Sequence, residues 1–176
     1  ENPKNDTTIT IKSPKAIIYS SNNDIEIFDS IIDILDKDGQ DVQIKSGKSI
    51  LNNSTNLIKV FDKVLISLLD SNTYYIKTNS FDWNINTNNI DLNSPLDINF
   101  DNTKISSSNG SYNINSSLLK INNNIFNRSI LNKDGDEQYY IEIISDRAIW
   151  LKKNNSLEFM SDNKQVETTI NFLLTE

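Results

Sequence analysis

The sequence predicts an all-β protein built from stacked repeats. Three observations predict it: apolar residues alternate at period two, Asn- and Ser-rich clusters punctuate that alternation, and one pattern returns five times. Alternation at period two puts each apolar set on one face of a strand. It runs through Ile9/Ile11, Ile25/Ile27, Ile58/Val60, Val64/Ile66/Leu68, Ile90/Leu92, Leu96/Ile98/Phe100 and Leu119/Ile121. Clusters such as Ser20-Ser21-Asn22-Asn23-Asp24, Asn52-Asn53-Ser54-Thr55-Asn56, Asn86-Thr87-Asn88-Asn89, Asn115-Ser116-Ser117 and Lys152-Lys153-Asn154-Asn155-Ser156 read as turns. With only 4 Gly in the chain, Asn is expected at turn corners, because it tolerates left-handed conformations.

The repeat is plainest in Ile11 to Ser20, IKSPKAIIYS, and Ile44 to Asn53, IKSGKSILNN. Carried forward without a gap, Ile25 meets Ile58, Ile27 meets Val60, Phe28 meets Phe61, Asp29 meets Asp62 and Ile31 meets Val64. Each unit reads as an apolar strand with a Ser or Thr, a bulky residue, an Asn/Ser turn, a return strand, a small break and another apolar strand. The bulky position is Ile18, Leu51, Trp83, Tyr112 and Trp150 in turn. The return strand opens seven residues later in every unit, at Ile25, Ile58, Ile90, Leu119 and Leu157. A rung of this kind cannot bury its apolar face alone, and stacking rungs builds a continuous core. A second echo, Ile34 to Gly39 against Ile130 to Gly135, places Asp-Gly between apolar strands, a strong hairpin signal.

The 176 residues suffice for one domain or one elongated array with a sizeable core. The net charge of −7 disfavours nucleic acid, whose phosphates need clustered Lys and Arg, and disfavours adsorption to an anionic membrane. The absence of His and Cys removes imidazole bases, thiolate nucleophiles and the usual zinc ligands. No catalytic residue, metal or cofactor is expected. No apolar run approaches the ~18 residues of a membrane span. The chain opens Glu1-Asn2-Pro3, so residues 1–7 are expected to be a disordered linker following a removed or missing signal or anchor.

Several clusters admit a sharper reading beside a plainer one. Asp36, Asp38 and Asp41 resemble part of a calcium loop, but Gly39 comes too early and no helices flank it, so a turn is the simpler account. Asp29, Asp62, Asp91 and Asp97 sit in turns or opposite apolar positions, which suits a solvated face better than a glycosidase pair. Trp83, Tyr112 and Trp150 suit packing within the repeat, with the lining of a ligand cavity as the alternative. Lys12-Ser13-Pro14-Lys15 and Lys45-Ser46-Gly47-Lys48 suit edge protection, with phosphate binding as the alternative.

Units of this form resemble the OstA-like repeats of lipopolysaccharide transport proteins. The stretch Val42 to Leu51 followed by Leu57 to Ile66 is similar to the core of the LptC family, and so is Tyr75 to Trp83 followed by Ile90 to Ile98. The resemblance spans roughly residues 8 to 174. It implies an open, twisted β-jellyroll of about five antiparallel hairpin-like repeats, forming a single domain over residues 8–174. Family rungs often carry Gly at the break, where this chain has Asp29-Ser30, Asp62-Lys63 and Ser94-Pro95. The long Asp134-to-Gln138 join of the fifth rung also departs from the family.

The resemblance further implies a non-catalytic periplasmic protein that shields the acyl chains of lipopolysaccharide in an apolar groove. The expected groove residues are Ile58, Val60, Val64, Ile66, Ile76, Trp83, Ile90, Leu92, Leu96, Ile98, Tyr112, Ile121, Trp150 and Phe159. Lipid would arrive from an inner-membrane ABC transporter at the edge around Thr8 to Ile18, with Ile9, Ile11 and Ile17. It would leave to an LptA-like bridge protein at the edge around Gln165 to Leu174, with Val166, Thr168, Ile170 and Phe172. Edge-strand pairing could also join copies of the chain. An inner-membrane anchor would precede Glu1. Two other readings stay open on the residues alone: a structural or adhesin-like module with a closed core, and a sugar-binding β-protein using Trp83 or Trp150 with a carboxylate.

Overall fold

A computed structural model gives the fold and describes residues 8–35, 41–69, 74–151, 156–162 and 164–172. The expected linker at 1–7, the Asp36-to-Gly39 turn with its calcium-loop aspartates Asp36 and Asp38, the turn at 152–155 and residues 173 and 174 lie outside the described residues. The described chain is all strand and turn: β1 (Thr8–Lys12), β2 (Lys15–Tyr19), β3 (Asp24–Leu35), β4 (Asp41–Asn52), β5 (Leu57–Leu69), β6 (Tyr74–Asn84), β7 (Asn89–Leu92), β8 (Leu96–Phe100), β9 (Thr103–Ser107), β10 (Asn109–Asn113), β11 (Leu118–Leu131), β12 (Glu137–Leu151), β13 (Ser156–Met160) and β14 (Glu167–Phe172). Every pairing is antiparallel, in the order β1-β3-β4-β5-β6-β7-β10-β11-β12-β13. Beside this path β2 joins β3, β14 joins β12, and β8 and β9 bridge β6 to β11.

The constant seven-residue spacing is the register of the hairpins. Each bulky residue faces its return residue across a turn: Ile18–Ile25, Leu51–Ile58, Trp83–Ile90, Tyr112–Leu119 and Trp150–Leu157. Neighbouring units join in the same row, through Ile25–Leu51, Ile58–Trp83, Ile90–Tyr112 and Leu119–Trp150. One row of ten side chains therefore crosses ten strands.

Asparagine makes these turns in three ways. Asn23, Asn56 and Asn88 take positive φ angles of 58°, 53° and 54°, with Ser117 at 53° in the fourth unit. Their carbonyls accept the backbone N–H of the next turn, Asn53 to Asn23, Ile85 to Asn56 and Ile114 to Asn88. One residue after the bulky position, the Oδ1 atoms of Asn52, Asn84 and Asn113 each accept backbone N–H groups of their own turn. The abundance of Asn thus does structural work that glycine performs elsewhere.

The small break in each unit is a corner. Strands β3, β4, β5, β6, β11 and β12 each bend near their middle, and the sheet folds into two layers. At the bend the inward positions are three apart instead of two, from Ile27 to Ser30, Ser46 to Ser49, Thr78 to Phe81, Ile121 to Asn124 and Ser145 to Ala148, and four apart from Val60 to Val64, where both Asp62 and Lys63 turn outward. An extra residue in a strand bends it and re-aims its side chains, so both halves of each strand face one interior. Asp29 (φ 49°), Asp62 (68°), Lys63 (51°) and Asn123 (48°) take the left-handed corner positions. Gly47 is required for another reason: a Cβ there would lie 2.9 Å from Asp62 Cβ.

Hydroxyls add hydrogen bonds to the backbone at the corners. Ser13 donates to the carbonyls of Lys15 and Phe28, Ser107 to those of Asn109 and Asn122, and Ser145 to that of Arg147. Thr78 donates to the Pro95 carbonyl at 3.1 Å, and Ser46 joins Ser30 and Ser49 in a buried triad at 2.8–3.0 Å. Ser13, Ser46, Thr78, Ser107 and Ser145 all stand five residues before their unit's bulky residue.

Candidate functional site: the space between the layers

A second inner row crosses the other layer: Ile11-Ile32-Ile44-Ile66-Ile76-Ile98-Ile105-Phe126-Ile143-Thr168. A third runs nearer the lip, Ile9-Ile34-Val42-Leu68-Tyr74 and then Phe100-Thr103-Arg128-Ile141-Ile170. The layers meet through these rows.

The structure brings the expected groove residues together on the inner faces. Ile58, Val60, Val64, Ile66, Ile76, Trp83, Ile90, Leu92, Leu96, Ile98, Tyr112, Ile121 and Trp150 are all buried, none more than 3% exposed. Phe159 is half-buried at the C-terminal end. The middle of the molecule is therefore closed in this conformation. Among the described residues two buried polar atoms lack a hydrogen-bond partner, the Nε1 of Trp83 and the Nδ2 of Asn124.

The ends differ from the middle. At the N-terminal end Ile18 continues the first inner row but is 74% exposed, and Ile9, Ile11 and Ile17 are half-buried. At the C-terminal end Phe172 is 70% exposed and meets Tyr139 at a tilt, with ring centroids 5.7 Å apart. Between these lies a cluster of rings. Tyr74 and Phe100 of the second layer meet Trp150 of the first at 4.7 and 5.3 Å, and Phe126 meets Phe159 edge-on at 5.3 Å. A cavity of about 310 Å³ opens among them, with Asp101 and Arg128 also on its wall. Tyr74, Phe100, Phe126 and Arg128 were not among the expected site residues. Their signal was available, since the apolar alternation places the three rings inward.

The expected partner edges fall on edge strands: Ile9 and Ile11 on β1, Ile17 on β2, and Thr168, Ile170 and Phe172 on β14, with Val166 just before it. The two edges are built alike. Each splits into two short strands on one bent partner, β1 and β2 on β3, β13 and β14 on β12.

The candidate lysines Lys12, Lys15 and Lys48 are held in ion pairs and ring contacts. Lys12 pairs with Asp33 at 2.9 Å and Lys48 with Glu26 at 3.0 Å, while Lys15 and Lys48 sit over the Phe28 ring at 5.1 and 5.6 Å. Hydrogen bonds from Gln43 and then Lys12 hold the Asp33 carboxyl below its ordinary value. Burial, with Glu142 and Glu137 nearby, pushes the Tyr140 phenol up. Among the described residues no three carboxylates come together as a metal site would require.

Residues 2–127 match a family described as lipopolysaccharide-assembly, LptC-related. The search of curated proteins found no match. Among solved structures the fold is similar to that of LptH from Pseudomonas aeruginosa, described as the LptA-homologous periplasmic component of a lipopolysaccharide transport device. That likeness has a TM-score of 0.53 at 8% identity, covering 65% of this chain and 82% of LptH.

Proposed function

Because the chain belongs to the LptC-related lipopolysaccharide-assembly family, we propose that it holds the acyl chains of lipopolysaccharide between its two layers and passes the lipid on. It works in the periplasm, taking lipid from an inner-membrane ABC transporter at the β1/β2 edge and delivering it to an LptA-like bridge protein at the β13/β14 edge. The observation that carries this reading is the run of inner rows from edge to edge, from Ile18 to Leu157 in one layer and from Ile11 to Ile143 in the other.

The physics is that of transfer without chemistry. Each methylene moved out of water is worth roughly 0.8 kcal/mol, so a multi-chain lipid cannot cross an aqueous space bare. An apolar path offers a nearly level route and requires no covalent step, which suits a chain without His or Cys. The stranded indole N–H of Trp83 supports the same reading. An unpaired buried donor costs ~1–3 kcal/mol, and an ester or amide carbonyl of an acyl chain entering between the layers would pair with it. Delivery at the edges uses the backbone groups of β1, β2, β13 and β14, which strand addition can satisfy.

A structural module with a closed core is the second reading, and the burial of Ile98 and Val64 favours it. Photo-crosslinking separates the two. A crosslinking side chain is placed at Ile98, at Phe159 and at the exposed Lys63, and lipopolysaccharide is added with and without its acyl chains. Acyl-dependent adducts at Ile98 and Phe159, and none at Lys63, are expected. A folded protein giving no adduct at either inner position is a structural module instead.

A further inference from the structure

Arg128 is the one charged side chain in the three inner rows. It stands between Thr103 of β9 and Ile141 of β12, two residues along from Phe126. It is exposed at the mouth of the C-terminal cavity, whose floor is the rings of Trp150, Phe126 and Phe159. The other arginine, Arg147, pairs with Asp162. Among the described residues Arg128 has no ion-pair partner, and Asp101, which shares the mouth, does not reach it.

The geometry points to a headgroup site: Arg128 binds the phosphate or carboxylate of an anionic amphiphile whose acyl chain lies on the aromatic cavity. This rests on the acyl-chain reading above and adds to it the anchor and its charge. Arginine is chosen for such a role because its planar fork meets two oxygens of a phosphate or carboxylate at once and stays charged at any physiological pH. A cavity of 310 Å³ is at the small end of ligand-sized pockets and suits part of one chain, not a whole multi-acyl lipid. Arg128 lies one residue beyond the span 2–127 that the family match covers, as do Trp150, Leu157 and Phe159 of the cavity wall, while Tyr74, Phe100, Asp101 and Phe126 lie within it. Asp101 opposes the anion and tunes the affinity downwards.

The protein has 2 tryptophans, so its indole N–H signals report the two regions separately by NMR: Trp150 the cavity, Trp83 the closed middle. The probes are dodecyl phosphate, dodecyl maltoside and inorganic phosphate, each below any micelle concentration. Dodecyl phosphate is expected to move the Trp150 signal saturably, and inorganic phosphate to leave it in place. Arg128→Gln should weaken dodecyl phosphate about tenfold, the loss of one charge-assisted contact, and leave dodecyl maltoside unchanged. Arg128→Lys should keep part of the affinity, and Asp101→Asn should raise it. Equal affinity of wild type and Arg128→Gln for dodecyl phosphate overturns the anchor while the acyl reading stands. A Trp150 shift with inorganic phosphate alone shows a free-anion site and overturns it too. If neither amphiphile moves Trp150, the acyl-chain reading fails and the anchor with it.

Discussion

The middle of the molecule and its C-terminal end are built from the same repeat, yet the rings at the end line a cavity of about 310 Å³, while the larger hollows of the middle lie along its corners, beside Lys63 and Lys77. In the middle Ile66, Ile76, Ile98 and Ile105 succeed one another along the second layer and are fully buried. Further along that row Phe126 follows Ile105 and meets Phe159 of the first layer, while Tyr74 and Phe100, from the row nearer the lip, meet Trp150. Branched aliphatic side chains fill the space between two sheets ~10 Å apart. Flat rings here meet in mixed geometries, Phe100 stacked on Trp150 and Tyr74 and Phe126 tilted or edge-on, and the cavity opens among them. Register decides which residues face inward, and side-chain shape decides whether the interior closes.

The largest effect that sharpens this contrast is truncation on either side of it. Ile98→Ala should cost ~2–5 kcal/mol in urea unfolding, as fully buried large-to-small changes do. Phe159→Ala, half-buried beside a cavity, should cost less than half as much. Equal costs would erase the distinction between middle and end.

The corners should not share it, because the hydroxyls recur at both. Ser107→Ala in the middle removes the hydroxyl bond to the Asn109 carbonyl and Ser145→Ala toward the end the one to the Arg147 carbonyl, and each should cost ~1–2 kcal/mol. A marked difference between them would mean that the corners, and not the inner side chains, set the contrast.

Filling the end should convert it toward the middle. Leu157→Phe adds bulk beside the cavity and is expected to raise stability by ~0.5–1 kcal/mol while reducing acyl adducts at Phe159. A loss of stability would show that the cavity has no room to fill.

The smallest effect lies on the outside of the second layer. Asp33, its carboxyl held low by Gln43 and Lys12, contributes stability that is present above its ordinary value of 3.8 and lost as pH falls below it. The melting temperature of Asp33→Asn should therefore fall slightly below wild type at neutral pH and match it in strong acid. A difference that persists in acid would assign the effect to packing.

Much of this was legible in the sequence. The spacing from Trp83 to Ile90 and its four counterparts was the hairpin register itself, and scarce Gly pointed to Asn at the corners, where Asn23, Asn56 and Asn88 stand. The fifth rung, from Trp150 to Leu157, forms despite its long join and despite lying beyond the family match. The five-residue offset from Ser13, Ser46, Thr78, Ser107 and Ser145 to the bulky position was equally present, but a hydroxyl's partner is visible only once the corner is folded. Closure at Ile98 was not legible, because a packed core and an open groove impose the same alternation. Neither was the cavity, which depends on Tyr74 of β6 and Trp150 of β12 meeting across the layers.

The central claim is that the closed middle and the open end are one lipid path, so the layers must part when lipid enters. The chain has no Cys, so spin labels can be placed cleanly by substitution, one pair at outward Lys59 and Lys77 over the middle and one at Lys104 and Glu158 over the end. Electron-spin distance measurement with and without lipopolysaccharide then reads the separation directly. The account predicts that both pairs lengthen on adding lipid, by up to about half the ~10 Å layer spacing. A middle pair that stays fixed while lipid is bound would contradict it, and would confine the lipid to the C-terminal cavity.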